Sequence, residues 1–136
     1  MCGTSGKKRR LQMKEEFLNK AEENLKVAQV SFESGCYNAC ANRAYYAAFQ
    51  AAIAALAAHG APKGKNDHAW VQSEFNRRLI KRQKTHPSRL KSYLPKMQQV
   101  RNKADYSEKD VGRKAASKQL SRAEEMFRII GKELEK

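Results

Sequence analysis

The sequence predicts an all-α fold, an up-and-down four-helix bundle with one additional short helix. Three observations predict it. Apolar residues recur at steps of three and four along several long segments. No segment alternates apolar and polar residues with period two. Gly35, Gly60, Pro62 and Pro87 punctuate the junctions between the periodic stretches.

The first ten residues, MCGTSGKKRR, carry no such period and read as a disordered or tag-like basic arm, leaving residues 11–136 as a single domain. From Leu11, the positions Phe17, Ala21, Leu25, Ala28 and Phe32 define the first helix, which stops at Ser34-Gly35. The second runs from about Tyr37 to His59 with Tyr45, Phe49, Ile53 and Leu56 on one stripe. Alanine on its other faces predicts close approach by more than one neighbour and enough leftover small surface for a homodimer. Asp67 is the expected N-cap of a shorter helix from His68 to about Arg82, with Val71, Phe75 and Leu79 inward. Pro87-Ser88 opens a fourth whose stripe is Leu90, Leu94, Met97, Val100 and Ala104; Pro95 falls inside this stripe, so the regular helix is expected to start only there, with the preceding turn bent. Ser107 with Asp110 three residues later reads as a capping-box variant for the last helix. That helix carries Ala116, Leu120, Ala123, Phe127, Ile130 and Leu134.

A chain of 136 residues suffices for one core without disulfides. Its 28 Lys+Arg against 14 Asp+Glu, a net charge of +14, attract polyanions and put nucleic acid first among partners. Three cysteines form no disulfide framework and imply a reducing, cytoplasmic setting. Cys36 and Cys40 lack a completing set of ligands, so neither a metal site nor a cofactor is expected. The longest apolar run, Ala51 to Ala58, is too short to cross a membrane, and no signal-like segment precedes it.

The charge is concentrated. Between Glu74 and Asp105 no acidic residue occurs, while Arg77, Arg78, Lys81, Arg82, Lys84, Arg89 and Lys91 follow closely. Such a face suits sequence-independent contact with phosphates, or else an acidic protein partner.

Two short stretches resist explanation by packing. In NRAYYAAF, Tyr46 lies about a third of a turn from Tyr45, so the two rings must meet different neighbours. In RNKADY, Arg101 and Asp105 stand one turn apart at the edge of the apolar stripe. With YNACANRAYYAAFQAA, DHAWVQSEF and RNKADY at this spacing, residues 11–136 resemble the small single-domain branch of the HEPN superfamily. The resemblance implies a helical bundle that pairs with itself or a partner, often a nucleotidyltransferase in toxin–antitoxin or stress modules.

Many relatives of that kind are metal-independent ribonucleases whose arginine is followed by a polar residue and, four to six positions on, by a histidine. Arg101 and Asn102 match the first two. The histidine is missing, its place taken by Tyr106, Ser107 and Glu108, and a phenol with a pKa of about 10 is a poor base near neutrality. His68 and His86 lie elsewhere in the chain. Two readings of Arg101, Asp105, Tyr106, Tyr45, Tyr46 and His68 follow: a buried polar network that fixes helix register, or a ligand site for phosphate. For function, a non-catalytic or degenerate HEPN protein that assembles as a dimer or with a partner and binds a polyanion, RNA or a nucleotide, leads. An endoribonuclease using Arg101 and Asn102 and a purely structural partner subunit are the alternatives.

Overall fold

The computed structural model describes residues 2–61, 67–82 and 86–135. These form α1 (Cys2–Glu33), α2 (Tyr37–Ala58), α3 (His68–Glu74), a π-helical segment (Phe75–Arg82), a 3-10 turn (Ser88–Ser92), α4 (Tyr93–Tyr106) and α5 (Arg113–Glu135). No strand occurs among the described residues, and no helix is long and apolar enough to cross a membrane.

Helix α2 is the axis of the fold. Seven consecutive residues, Ala51 to Ala57, are buried, because α1, α4 and α5 all pack on it. Alanine makes this possible: with only a methyl group to accommodate, three helices can approach one backbone closely. The alanine faces are therefore covered from within the same chain, so the small-residue surface expected to receive a second copy is occupied by α1, α4 and α5. Larger side chains fill the spaces around α2, among them Leu79, Leu90, Leu94, Met97, Met126 and Ile130, all at most 2 % exposed. Each contributes roughly 1.5–3 kcal/mol relative to exposure.

The ends of α1 and α2 obey one rule. Gly35 and Gly60 have φ of +78° and +74°. Behind them Cys36 N–H donates to Ser31 O at 2.8 Å and Ala61 N–H to Leu56 O at 3.0 Å, satisfying carbonyls that the helix leaves open.

Three expectations are corrected. The basic arm is helical in the structure, since α1 begins at Cys2. Its lysines and arginines are good helix formers, and the Arg10 side chain lies against Gly60 where α2 ends, a favourable place for a cation. The third helix is not one α-helix to Arg82. After Glu74 it widens into a π-helix, whose i to i+5 register sets Ile80 beneath Phe75 and lets both Leu79 and Ile80 be buried. The fourth helix meets its expectation: a 3-10 turn comes first and the regular helix begins only at Tyr93, two residues before Pro95. Pro95 consequently falls in the first turn, where its missing N–H breaks no bond. Finally, Ser107 caps no helix start. It terminates α4, its hydroxyl accepts from Lys109 N–H at 3.1 Å, and α5 opens at Arg113. Between them the buried Val111 donates its N–H to Asn38 Oδ1 at 2.8 Å, tying this link to the start of α2.

Candidate functional site

Arg101 is the centre of the site. It projects from the last turns of α4 towards α2 and is only 8 % exposed. Nη2 donates to the Tyr46 hydroxyl at 3.1 Å and Nη1 to Asn102 Oδ1 at 3.0 Å. Nε lies 3.3 Å from Asp105 Oδ2, an ion pair that falls short of hydrogen-bond geometry. The guanidinium carbon also stands 5.4 Å from the Tyr46 ring centre, 5.9 Å from that of Tyr45 and 5.7 Å from that of Tyr106. Such partners offset the loss of water around a cation this buried, with ring faces adding attraction.

The adjacent tyrosines share His68, Phe49 and Arg101 as neighbours, but their hydroxyls take different partners, His68 for Tyr45 and Arg101 for Tyr46. Tyr45 is fully buried, its hydroxyl sharing a hydrogen bond with His68 Nδ1, its ring stacked on His68 at 5.4 Å and on Phe49 at 5.7 Å. Tyr46 is half-buried and has both Arg101 and Arg43 against its ring, each guanidinium carbon 5.4 Å from the ring centre. Burial pushes the Tyr45 phenol up to about 12, so it stays protonated. Burial first, and then the charge of Arg101, hold the His68 imidazole below its ordinary range.

His68 is the main surprise of the site. As the first residue of α3 it would ordinarily be a surface or capping group, yet capping falls to Asp67, which accepts from Trp70 N–H at 2.8 Å. Its ring instead packs against Phe49 at 4.8 Å and Tyr46 at 6.3 Å. Sequence separation concealed this: nothing in the spacing of residues 68 and 101 says that one tyrosine pair will serve both. His86 lies apart, buried with its ring tilted on Phe75 at 5.4 Å.

Sequence reading also missed the polar chain that extends the site. Asn42 Nδ2 donates to Asp105 Oδ2 at 2.9 Å, and Arg43 Nε donates to Asn42 Oδ1 at 2.7 Å. Arg43 Nη1 donates to Asn24 Oδ1 at 3.1 Å, whose amide in turn reaches Gln50 Oε1 at 2.7 Å. Helices α4, α2 and α1 are thereby linked through side chains. The signal was present: Asn42 and Arg43 precede Tyr46 by four and three residues on an otherwise alanine-rich helix, where neighbours at that spacing meet.

The basic segment is less uniform in space than along the chain. Glu74 takes Arg77 at 2.8 Å and Arg78 at 3.4 Å, while Glu125 of α5 takes Arg89 at 3.2 Å. Tyr93 also bonds Glu125, and these two partners hold its carboxyl below the usual range. Lys81 and Lys91 are exposed and line one cavity. Lys84 and the side chain of Arg82 lie outside the described residues.

Of the cysteines, Cys36 is exposed and Cys40 buried, its Sγ 3.8 Å from Ala116 O. Burial pushes the Cys40 thiol up to about 11, which makes it an inert packing group. Among the described residues no three His, Cys, Asp or Glu side chains converge on a point.

Residues 14–134 match the family model of the HEPN domain. No curated protein matches the chain.

Proposed function

Because the chain belongs to the HEPN domain family, we propose that it is a binding member of that family rather than a cleaving one, engaging RNA or a nucleotide through its basic surface. The observation that carries this reading is the state of Arg101. It is buried, and its guanidinium is engaged by Tyr46, Asn102 and Asp105 of its own chain, with no histidine following on α4. An arginine so engaged joins helices, whereas one that holds a scissile phosphate must offer its donors outward.

In this reading α1, α2, α4 and α5 form the up-and-down frame. The surface of the π-helical segment and the 3-10 turn meets phosphates. The protein acts as a homodimer, or beside a nucleotidyltransferase-type partner of a toxin–antitoxin or stress module. Support for an intermolecular contact comes from Val27 and Val30, one turn apart on α1 and 45 % and 61 % exposed, and from Tyr106, 77 % exposed. RNA affinity measured against salt tests the binding reading. Affinity should fall steeply with salt, and Arg77→Gln with Arg78→Gln should lower the logarithmic slope by roughly one for each phosphate no longer neutralised. Undetectable binding at low salt defeats it.

One observation favours a second reading, the endoribonuclease. His68 and Arg101 flank the same tyrosine pair, so an imidazole does stand near the arginine although none follows it in sequence. Tyr45 engages Nδ1, and the proton transfer would fall to Nε2. Metal-independent RNA cleavage abolished by both His68→Gln and Arg101→Lys would establish this reading in place of the first.

A further inference from the structure

A second polar site lies where the chain enters α4, away from the Arg101 network. Ile80, Lys81, His86, Ser88 and Lys91 line a cavity of about 530 Å³, within the size range of small-ligand pockets. Its floor is apolar and fixed. Ile80 is 7 % exposed, and His86, 4 % exposed, donates its backbone N–H to Leu79 O at 3.3 Å while its ring packs on Phe75. The wide π-helical register sets this floor, and such segments recur at functional sites because they re-aim side chains at some cost in backbone geometry.

The rim is cationic. Lys81 and Lys91 are exposed, and among the described residues neither takes part in an ion pair, in contrast to Arg77, Arg78 and Arg89 nearby. Ser88 adds an exposed hydroxyl. Burial holds the His86 imidazole below its ordinary range, so near neutral pH the charge comes from the two lysines. Two ammonium groups and a hydroxyl match a dianionic phosphate, and a floor of Ile80 with the His86 ring suits the apolar or flat group attached to it.

We propose that this cavity binds a terminal phosphomonoester carried on a nucleoside, either the 5′-phosphate end of an RNA or a free mononucleotide. The proposal rests on the reading that this surface meets RNA or a nucleotide, and it names the part of the ligand that is held.

Fluorescence anisotropy with one oligoribonucleotide, prepared with a 5′-phosphate or a 5′-hydroxyl, tests it. Wild-type protein should bind the phosphorylated end at least about tenfold more tightly, the effect of one good charge-assisted contact. Lys81→Gln with Lys91→Gln should abolish that preference. Both lysines are exposed, and a thermal melt of the variant confirms that it folds. Adenosine monophosphate that competes with the oligonucleotide, or binds by calorimetry in a manner abolished in the double variant, assigns the free nucleotide. A retained end preference without competition assigns the RNA end. Equal binding of the two ends without binding of the mononucleotide overturns the pocket, as does a preference that survives the double substitution. If the Arg77→Gln, Arg78→Gln variant still weakens RNA binding in that case, the wider RNA-binding reading stands alone. If no RNA binds but adenosine monophosphate does, and the double variant loses it, the pocket stands and the RNA reading falls.

Discussion

Arg101→Ala removes the guanidinium through which α4 holds α2, and its cost can be worked from the geometry. A hydrogen bond from a charged donor, here to Tyr46, is worth about 1.5 kcal/mol. The pair with Asp105 adds less than about 1 kcal/mol, because that carboxylate side chain is 28 % exposed and shared with Asn42. Contact with the three tyrosine rings adds about 1 kcal/mol. The expected loss is therefore near 3 kcal/mol, or roughly 10 °C in Tm for a chain of this size. Asp105→Ala is a smaller change. Arg101 keeps Tyr46, Asn102 and the rings, so about 1–1.5 kcal/mol is expected, well below the cost of stranding a fully buried charge. The double variant should lose about 0.5–1 kcal/mol less than the sum. Arg101→Lys should fall between parent and alanine, since one ammonium cannot reach Tyr46, Asn102 and Asp105 with the geometry of a planar fork. Urea denaturation at constant m-value measures all four. An Arg101→Ala variant within about 0.5 kcal/mol of the parent would falsify the network account and return Arg101 to the role of a ligand group.

The remaining predictions address pH, the α2 terminus, the core and assembly. Burial depresses both His68 and His86 below 6.5, so below that pH the unfolded chain takes up protons that the folded chain resists. Stability from these groups is present at neutral pH and declines as pH falls from about 7 towards 5; His68→Gln with His86→Gln should flatten the slope, and an unchanged slope would refute the assignment. Gly60→Ala should cost about 1–2 kcal/mol, because φ is +74° and the new Cβ would come within 2.9 Å of Arg10 Nη1; a neutral result in thermal melts contradicts this. Gln119, 1 % exposed, donates to Ala41 O at 3.3 Å and Met97 O at 2.8 Å, and its own Oε1 has no hydrogen-bond partner among the described residues. Because both carbonyls lie within helices, Gln119→Met should change stability by no more than about 1 kcal/mol, and a larger loss would show the amide to be essential. Sedimentation at tens of micromolar should detect a dimer that Val30→Lys weakens, and a monomer at that concentration removes the homodimer.

The sequence by itself determined the helical class, the order of the helical segments and most of the inward positions, because periodicity and turn residues are local properties of the chain. In α5 it named Leu120, Phe127 and Leu134, which are only partly buried, and passed over Gln119 and Met126, which are buried. It also singled out Tyr45, Tyr46, Arg101 and Asp105, since polar groups interrupting an apolar stripe are visible without coordinates. What it could not determine depends on contacts between distant segments. Helix α2 is covered by its own chain rather than by a second copy because three helices converge on it, a matter of topology. The Phe75–Arg82 segment widens because Leu79 and Ile80 must both be buried, a demand set by what packs above them. The acid-free stretch from Arg77 to Arg89 acquires Glu74 and Glu125 as partners, one from the preceding turn and one from α5. His68 arrives beside the tyrosines that hold Arg101 only when α3 folds back on α2, for an imidazole carries no periodic signal of the partner it will meet.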